Sequence, residues 1–512
     1  MNIRPEFRIM VIAALVAAVL VVAYIGSESI WLDEAVSIMI AHDWDNMWRI
    51  SFQSEANMWL YHTVLHFWLQ LGQNEVWIRL LSAIFAIATV PVVLALGARL
   101  VDPRAGAIAA FVLAANVYFI QYAQEARSYS LLLFLVTVSS YYFVSCIERP
   151  ARNNWVGYIF SSVLALYAHF FGALALGAHA LSVVFLRRRD IPWGALVLSY
   201  AAMLLLLVPI LFSSFLKGAS HIAWIEQPNV LTLYHTVQEF AGSAPTLVLV
   251  YLPLSVIAIV SAVRTFRRCR FGFEAWRVAF LVMLFLAPIL FVFSFSLLVK
   301  PIFVPRYLIF CLIPFVLLVA AGFGAFRARW IIAGLATVLV LSSGRSIVKL
   351  YTERHKEDWR SATAFVLSQA KPHDAVLFYA YFVRYPFEYY LTRFDAPSDL
   401  LNLLELAPDP DSPPHGSDLP APDQDLLESV PEEYSRVWLV LSHDDFPRLG
   451  RDVESRMIQS SLVRNYGAPT EHEFYGVRLL LYDRISIARA SKGFDKSTTL
   501  SSGQGGLSQN GR

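Results

Sequence analysis

Asp33 and Glu34 stand side by side just past the first long apolar stretch of this 512-residue chain. Carboxylates beside a bilayer are costly if they face lipid, so this pair is expected to face a water-filled or substrate-filled cavity. Other polar groups recur at comparable hinges. Gln121, Gln124, Glu125, Arg127 and Tyr129 fall in the run QYAQEARSYS, and His169 in YAHFF. Lys217, His221 and Glu226 follow the seventh apolar run, and Lys300 and Arg306 lie in KPIFVPRY. Together these residue types suggest a division of labour. One carboxylate would deprotonate an acceptor hydroxyl as general base. The cations would clamp a phosphate, arginine as a planar fork and lysine as a point charge. Such a site at the bilayer edge suits a substrate that is itself a lipid phosphate.

Each residue also has a blander use. Asp33 could cap the helix that begins at Glu34. Glu125 and Arg127 could form an interfacial ion pair, and Arg306 could snorkel toward headgroups. His169 could be a satisfied interfacial histidine. His62, His66 and His179 fall within apolar helices and read as structural. The convergence of the set says more than any member.

The elements that must position these residues are membrane spans. Hydrophobic residues make up 57% of the chain and its mean hydropathy is +0.53, beyond an ordinary soluble domain. About eleven apolar runs approach the length that crosses the hydrocarbon core: 9–25, 78–98, 105–121, 129–147, 155–168, 170–186, 192–213, 246–263, 277–298, 307–326 and 330–348. Alternate connections are rich in arginine, among them Arg4 and Arg8, Arg99 and Arg104, Arg149 and Arg152, and Arg187-Arg188-Arg189. Arg264, Arg267, Arg268, Arg270 and Arg277, then Arg327 and Arg329, continue the series. The remaining connections hold only Arg49, Arg79, Arg127, Lys217, Lys300 and Arg306. By the positive-inside rule the N-terminus is cytoplasmic, and an odd number of spans sends the C-terminal region out. All the candidate residues then emerge on the outer face. The first run lacks a convincing cleavage site and reads as a retained helix.

Residues 1–350 thus form a transmembrane domain, with an outer loop at 26–77. Six tryptophans, from Trp31 to Trp77, mark an interfacial belt there, and 58–71 has the spacing of an amphipathic helix lying on the membrane. Residues 351–490 read as a small soluble α/β domain, with helical spacing at 355–370 and strand-like runs at 375–380, 436–442 and 477–482. The stretch 407–424 is a Pro/Asp-rich loop, and 491–512 has the composition of a disordered tail. A net charge of +2 gives no pull toward nucleic acid. Cys146, Cys269 and Cys311 make no disulfide framework or metal spacing. Neither a GxGxxG, a P-loop nor an internal repeat occurs.

The pieces WLDEAVS (31–37), QEARSYSLLLFL (124–135), YAHFFGALAL (167–176), RYLIFCLIPFVLLVAAG (306–322) and KEDWR (356–360) carry a resemblance. So does 60–100, and together they cover the chain to about residue 390. The chain resembles the GT-C glycosyltransferases, specifically bacterial relatives of dolichyl-phosphate-mannose protein mannosyltransferases and of lipid A aminoarabinose transferases. That resemblance implies a GT-C fold of about eleven transmembrane helices with an extracytoplasmic α/β domain. It implies inverting transfer of a sugar from a polyprenyl-phosphate donor to a protein, lipid or glycan acceptor. Asp33 would be the base, supported by Glu34, and Glu125 the second acidic position. Arg127, Lys217 and Arg306 would meet donor phosphate, with Asn57, Gln124, Tyr129, His169 and His221 as further substrate contacts. Relatives often carry His-Pro-Pro where this chain has Asn57-Met58-Trp59; Asn57 could replace one hydrogen bond. Metal need is left open by these residues: Asp33, Glu34 and Glu125 could hold Mg²⁺ or Mn²⁺ through oxygen. A bacterial inner membrane with the site facing the periplasm is the expected location.

Two other readings compete. A flippase for a lipid-linked saccharide would place charges near the bilayer midplane in broken helices. A non-catalytic scaffold would explain the soluble domain but not the convergence of carboxylates and arginines.

Overall fold

The structure, a computed structural model, describes residues 5–53, 57–215, 225–269, 272–353, 356–406, 422–443 and 451–484. These form two compact units, one from 5–29 and 33–353, the other from 30–32 and the described residues beyond 355.

The first unit is helical. It opens with α1 (Pro5–Val22), α2 (Leu32–His42), α3 (Trp44–Gln53) and α4 (Trp59–Leu69). Next come α5 (Glu75–Leu100), α6 (Pro103–Ala114), α7 (Val117–Ala123), α8 (Tyr129–Glu148), α9 (Arg152–Ala168) and α10 (Gly172–Ser182). After these follow α11 (Trp193–Phe215), α12 (Val230–Phe240), α13 (Pro245–Cys269) and α14 (Phe273–Leu298). A 3-10 turn over Pro305–Cys311 leads into α15 (Leu312–Phe323), and α16 (Arg329–Thr352) closes the unit.

Local chemistry accounts for the main boundaries. Asn74 caps α5 by accepting the Trp77 N–H at 2.8 Å. Asp102 caps α6 by accepting the N–H groups of Arg104 and Ala105, with Pro103 at the first helical position. Between α6 and α7 the chain bends by 60°. Asn116 sits at that bend; its Oδ1 accepts the Phe119 N–H at 3.0 Å, and its Nδ2 donates to the Phe240 carbonyl at 2.8 Å. The side chain that starts α7 therefore also fastens the end of α12.

All eleven expected apolar runs fall on helical segments, but not all of these segments have the length of a full span. Among the described residues eight helices are long and apolar enough to cross a membrane, or nine if α6 and α7 act as one bent span. The runs 155–168 and 170–186 fold as helices of 17 and 11 residues, the second followed by a short 3-10 turn. The first is at the lower end of span lengths, and the second falls short of them. Packing is tight where small residues meet. A Cβ on Gly97 would lie 2.7 Å from the Gly106 Cα, so this glycine pair sets the approach of α5 to α6. Gly322 on α15 likewise abuts the Leu254 carbonyl of α13.

The second unit contains α17 (Trp359–Gln369), β1 (Asp374–Phe378), α18 (Tyr381–Arg393) and β2 (Leu401–Glu405). It continues with α19 (Gln424–Glu433), β3 (Arg436–Leu441), α20 (Arg451–Tyr466), β4 (Thr470–Phe474) and β5 (Val477–Asp483). The sheet order is β2-β1-β3-β5-β4; β2, β1 and β3 are parallel, and β5 and β4 antiparallel. Central β1 and β3 are buried along their whole length, which their near-continuous apolar sequence requires. Asp374 and Arg436, both buried, pair at 3.1 Å across these strands. Within the KEDWR stretch, Glu357 accepts the Trp359 indole N–H at 3.2 Å and lies 2.8 Å from His443 Nε2.

Candidate functional site

The two adjacent carboxylates at the start of α2 face different surroundings. Glu34 is fully buried, and Arg79 on α5 grips it through Nε–Oε1 at 2.8 Å and Nη2–Oε2 at 2.6 Å. The remaining guanidinium hydrogens donate to the carbonyls of Ile25, Glu28 and Ser29, at 2.9, 2.8 and 2.6 Å. Glu34 Oε1 also accepts the Ala126 N–H at 2.8 Å. This closed network ties the 25–34 segment, α5 and the turn before α8 together. The Glu34 carboxylate is thus turned into the protein interior.

Asp33 points the other way. Its Oδ2 lies 3.8 Å from Arg127 Nη2 and 3.6 Å from Arg306 Nη2, and its side chain keeps 26% exposure. Arg127 is aimed by donating to the Asp33 carbonyl at 3.1 Å and to Ser37 Oγ at 3.2 Å, both on α2. Its own carbonyl accepts the Ser82 hydroxyl at 3.2 Å, and Ser82 meets the Tyr61 hydroxyl at 3.0 Å. Arg306 arrives from the 3-10 turn, whose first residue is Pro305.

Aromatic rings surround the two arginines. The Arg127 guanidinium lies 5.9 Å from the Tyr129 ring, and that of Arg306 5.8 Å from the Tyr307 ring. Tyr118, Tyr122 and Tyr129 form a chain of edge contacts at 4.7 and 5.3 Å. Tyr307 adds contacts to Tyr129, His169 and Phe171. The hydroxyls of Tyr118 and Tyr129 are buried and have no hydrogen-bond partner among the described residues. Buried polar groups are normally satisfied, so these two hydroxyls are suited to a bound polar molecule or water.

His169 is buried at the turn between α9 and α10. Burial, with Arg127 and Arg306 nearby, pushes its imidazole down to about 3, so it is neutral. Its Nδ1 lies 3.2 Å from the Phe171 backbone nitrogen and its Nε2 3.4 Å from the Asn57 amide nitrogen; both neighbours are donors, and a neutral ring accepts from one of them. Asn57 Oδ1 in turn accepts the Phe170 N–H at 3.1 Å. The departure at Asn57-Met58-Trp59 thus places an amide that holds the His169 turn.

Other expected residues are placed as follows. Glu125 is buried in the turn that carries Arg127, and its carbonyl accepts the Arg127 N–H at 2.8 Å. Gln124 donates to the carbonyls of Val21 and Ala23, fixing the end of α1. Lys217 and His221 lie outside the described residues. Glu226 is exposed ahead of α12, and Lys300 is half-buried where the chain turns toward Arg306. Among the described residues no three His, Cys, Asp or Glu side chains converge to hold a metal ion. Of the three carboxylates expected to hold a metal, Glu34 is sealed by Arg79 and Asp33 faces two cations.

Three features escaped the sequence reading: the Arg79 clamp, the tyrosine wall and Glu239. Glu239, half-buried on α12, is pushed up to about 7 by burial, which outweighs the opposing influence of Arg306. A lone acid inside an apolar helix segment is a signal that could have singled it out, as is an arginine at the head of a span for Arg79.

No family model matches the sequence, and no curated protein matches it either. Solved structures do. The fold is similar to that of ArnT from Cupriavidus metallidurans in the apo state, with a TM-score of 0.61 and 13% identity over 93% of this chain and 98% of that one. The same protein bound to undecaprenyl phosphate gives 0.60 and 13%, over 92% and 97%. The archaeal oligosaccharyltransferase AglB from Archaeoglobus fulgidus, in complex with an inhibitory peptide and a dolichol-phosphate, gives 0.51 and 10%, over 90% and 71%. At such identities the likeness establishes the fold: this chain is a multi-pass membrane protein with the GT-C fold.

Proposed function

We propose that this chain is an inverting membrane glycosyltransferase that moves a sugar from a polyprenyl-phosphate donor to a protein, lipid or glycan acceptor. The observation that carries the proposal is Asp33 facing both Arg127 and Arg306 beside a tyrosine-lined wall. The GT-C neighbours support it, since one is bound to undecaprenyl phosphate and another to a dolichol-phosphate.

In the resting arrangement the two guanidiniums face the Asp33 carboxylate. An incoming donor phosphate offers them a stronger, bidentate partner. As the arginines turn to the phosphate, Asp33 is released to accept a proton from the acceptor hydroxyl. The acceptor oxygen then attacks the anomeric carbon on the face opposite the phosphate. The carbon–oxygen bond to phosphate breaks, and the phosphate leaves with the electron pair. Arg127 and Arg306 neutralise the charge that grows on it, a preorganised stabilisation. The tyrosine wall stacks on the sugar and keeps water out, limiting hydrolysis. Burial beside Arg127 and Arg306 makes His169 a weak base, and its ring packs against Tyr307. Coupling base release to phosphate arrival would explain why a base and two cations are built so close together.

The test is turnover of a panel of radiolabelled polyprenyl-phosphate sugars by protein in nanodiscs, with Asp33→Asn alongside. Release of polyprenyl phosphate by wild type and not by the variant supports the assignment. An active wild type matched by Asp33→Asn removes Asp33 as base, and binding of every donor without turnover favours a flippase.

A further inference from the structure

α10, the 3-10 turn Val183–Phe185 and the first half of α11 enclose a groove of about 660 Å³, in the range of small-molecule and lipid sites. Its walls include Val184, Val197 and Leu204, all more than half exposed in the isolated chain. They continue the apolar face of α11, a helix long enough to cross the membrane, so the groove opens toward lipid rather than water. Tyr200 lines it, but the Tyr200 hydroxyl is already committed, donating to the Leu176 carbonyl at 2.8 Å and meeting the Tyr158 hydroxyl at 3.2 Å. That leaves the aromatic ring, so the interior offers an occupant an apolar surface.

The rim is different. Arg188 lines it as the centre of Arg187-Arg188-Arg189, and Trp193, half exposed, stands beside it. Arg189 is paired with Asp190 at 3.8 Å, whereas Arg188 is exposed and has no ion pair among the described residues. Tryptophan is enriched at headgroup depth, and basic clusters flanking spans attract anionic headgroups. An apolar slot below a cation at headgroup level has the form of a single lipid molecule.

We propose that this groove holds an acyl chain of an anionic phospholipid, with the lipid phosphate drawn to Arg188. The occupant is a bilayer lipid distinct from the sugar donor, and the inference stands apart from the reaction proposed above. An uncharged or zwitterionic lipid would fill the slot without using the rim, so selectivity by headgroup is the distinguishing property.

The experiment is native mass spectrometry of the full chain, exchanged into phosphatidylglycerol or phosphatidylcholine of identical acyl chains. Wild type is expected to retain phosphatidylglycerol preferentially. Arg188→Gln, on an exposed turn where folding is not at stake, should reduce that preference about fivefold, the influence of one surface charge. Ala201→Trp, or the milder Leu204→Phe, narrows the slot and should lower retention of both lipids. Glycerol phosphate without acyl chains should not displace the bound lipid. Equal retention of the two lipids by wild type overturns the proposal, as does an unchanged preference in Arg188→Gln. Displacement by glycerol phosphate, or full retention in both slot-filling variants, overturns it too, because the lipid would then sit on the rim alone.

Discussion

Asp33 and Glu34 differ by one position on α2, and that step separates a carboxylate facing two arginines from one sealed by a third. Their replacement should therefore fail in different ways. With Asp33 as the proposed general base, Asp33→Asn should lower turnover by about 10²- to 10⁴-fold. It also removes the carboxylate that competes with phosphate for Arg127 and Arg306, so undecaprenyl phosphate should bind as well or better. Isothermal titration with that lipid alongside turnover separates the two effects; weakened binding would mean that Asp33 holds the arginines in place. Glu34→Gln leaves the Arg79 guanidinium buried against a neutral amide, and breaking such a pair costs about 3–5 kcal/mol. It should show as a large drop in thermal midpoint. Glu239 gives a third, pH-dependent case. Its carboxyl is raised from 4.5 to about 7, so the folded state holds a proton that the unfolded state releases. That contribution is complete below the unfolded value and lost as pH rises through 7. The midpoint of wild type minus that of Glu239→Gln should fall between about pH 5 and about pH 8; a flat difference would show that the carboxyl ionises without penalty.

At the scale of elements, the bend between α6 and α7 brings the site residues of one segment to those of another. Asn116 caps α7 and holds the Phe240 carbonyl, so the residue after Glu239 is tied to the helix that carries Tyr118 and Tyr122. Asn116→Ala should cost about 1 kcal/mol as a lost cap. Hydrogen exchange should quicken across 230–240 and stay slow in α8; unchanged exchange in α12 would mean that other contacts fix it. These elements also show what the sequence could convey. Apolar runs located every helix of the first unit that 9–25 to 330–348 covered, because hydropathy reports lipid or core burial directly. It does not report where a helix stops, and so 170–186 read as a span although the helix gives way to a 3-10 turn at Val183. Asp33, Arg127, Arg306, Tyr129 and His169 were legible because polar groups stand out at the ends of apolar runs. The tyrosine wall was not, since Tyr118, Tyr122 and Tyr307 lie within or beside such runs and look like lipid-facing or interfacial aromatics. Arg79 was read as one scattered cation, because nothing in the sequence shows that its five donors meet Glu34 and three carbonyls.

For the whole molecule the decisive quantity is the parity of the membrane crossings. Eight spans would return the end of α16 to the side of the N-terminus, whereas nine would leave it on the opposite side. The short helices α9 and α10 do not change that parity if they cross together or not at all. The bent pair α6–α7 does. Charge argues for nine: Arg99 ends α5 and Arg104 opens α6, and Arg149 and Arg152 follow α8. For both arginine pairs to lie on one face, as the positive-inside rule requires, the chain must cross exactly twice between them. With α8 as one crossing, the expectation is that α6 and α7 together make the other, despite the 60° bend. The bend is then the means by which a span carries Gln124, Glu125 and Arg127 to the same surface as Asp33. Single cysteines in a cysteine-free background test this with a membrane-impermeant maleimide in sealed, oriented vesicles. Cysteines at Arg104 and Arg152 should label on one face, and cysteines at Ser27 and Glu353 on the other. Labelling of Glu353→Cys on the face of Arg104→Cys would mean that α6 and α7 form a re-entrant hairpin, and the placement of Arg127 beside a lipid-borne phosphate would have to be reconsidered.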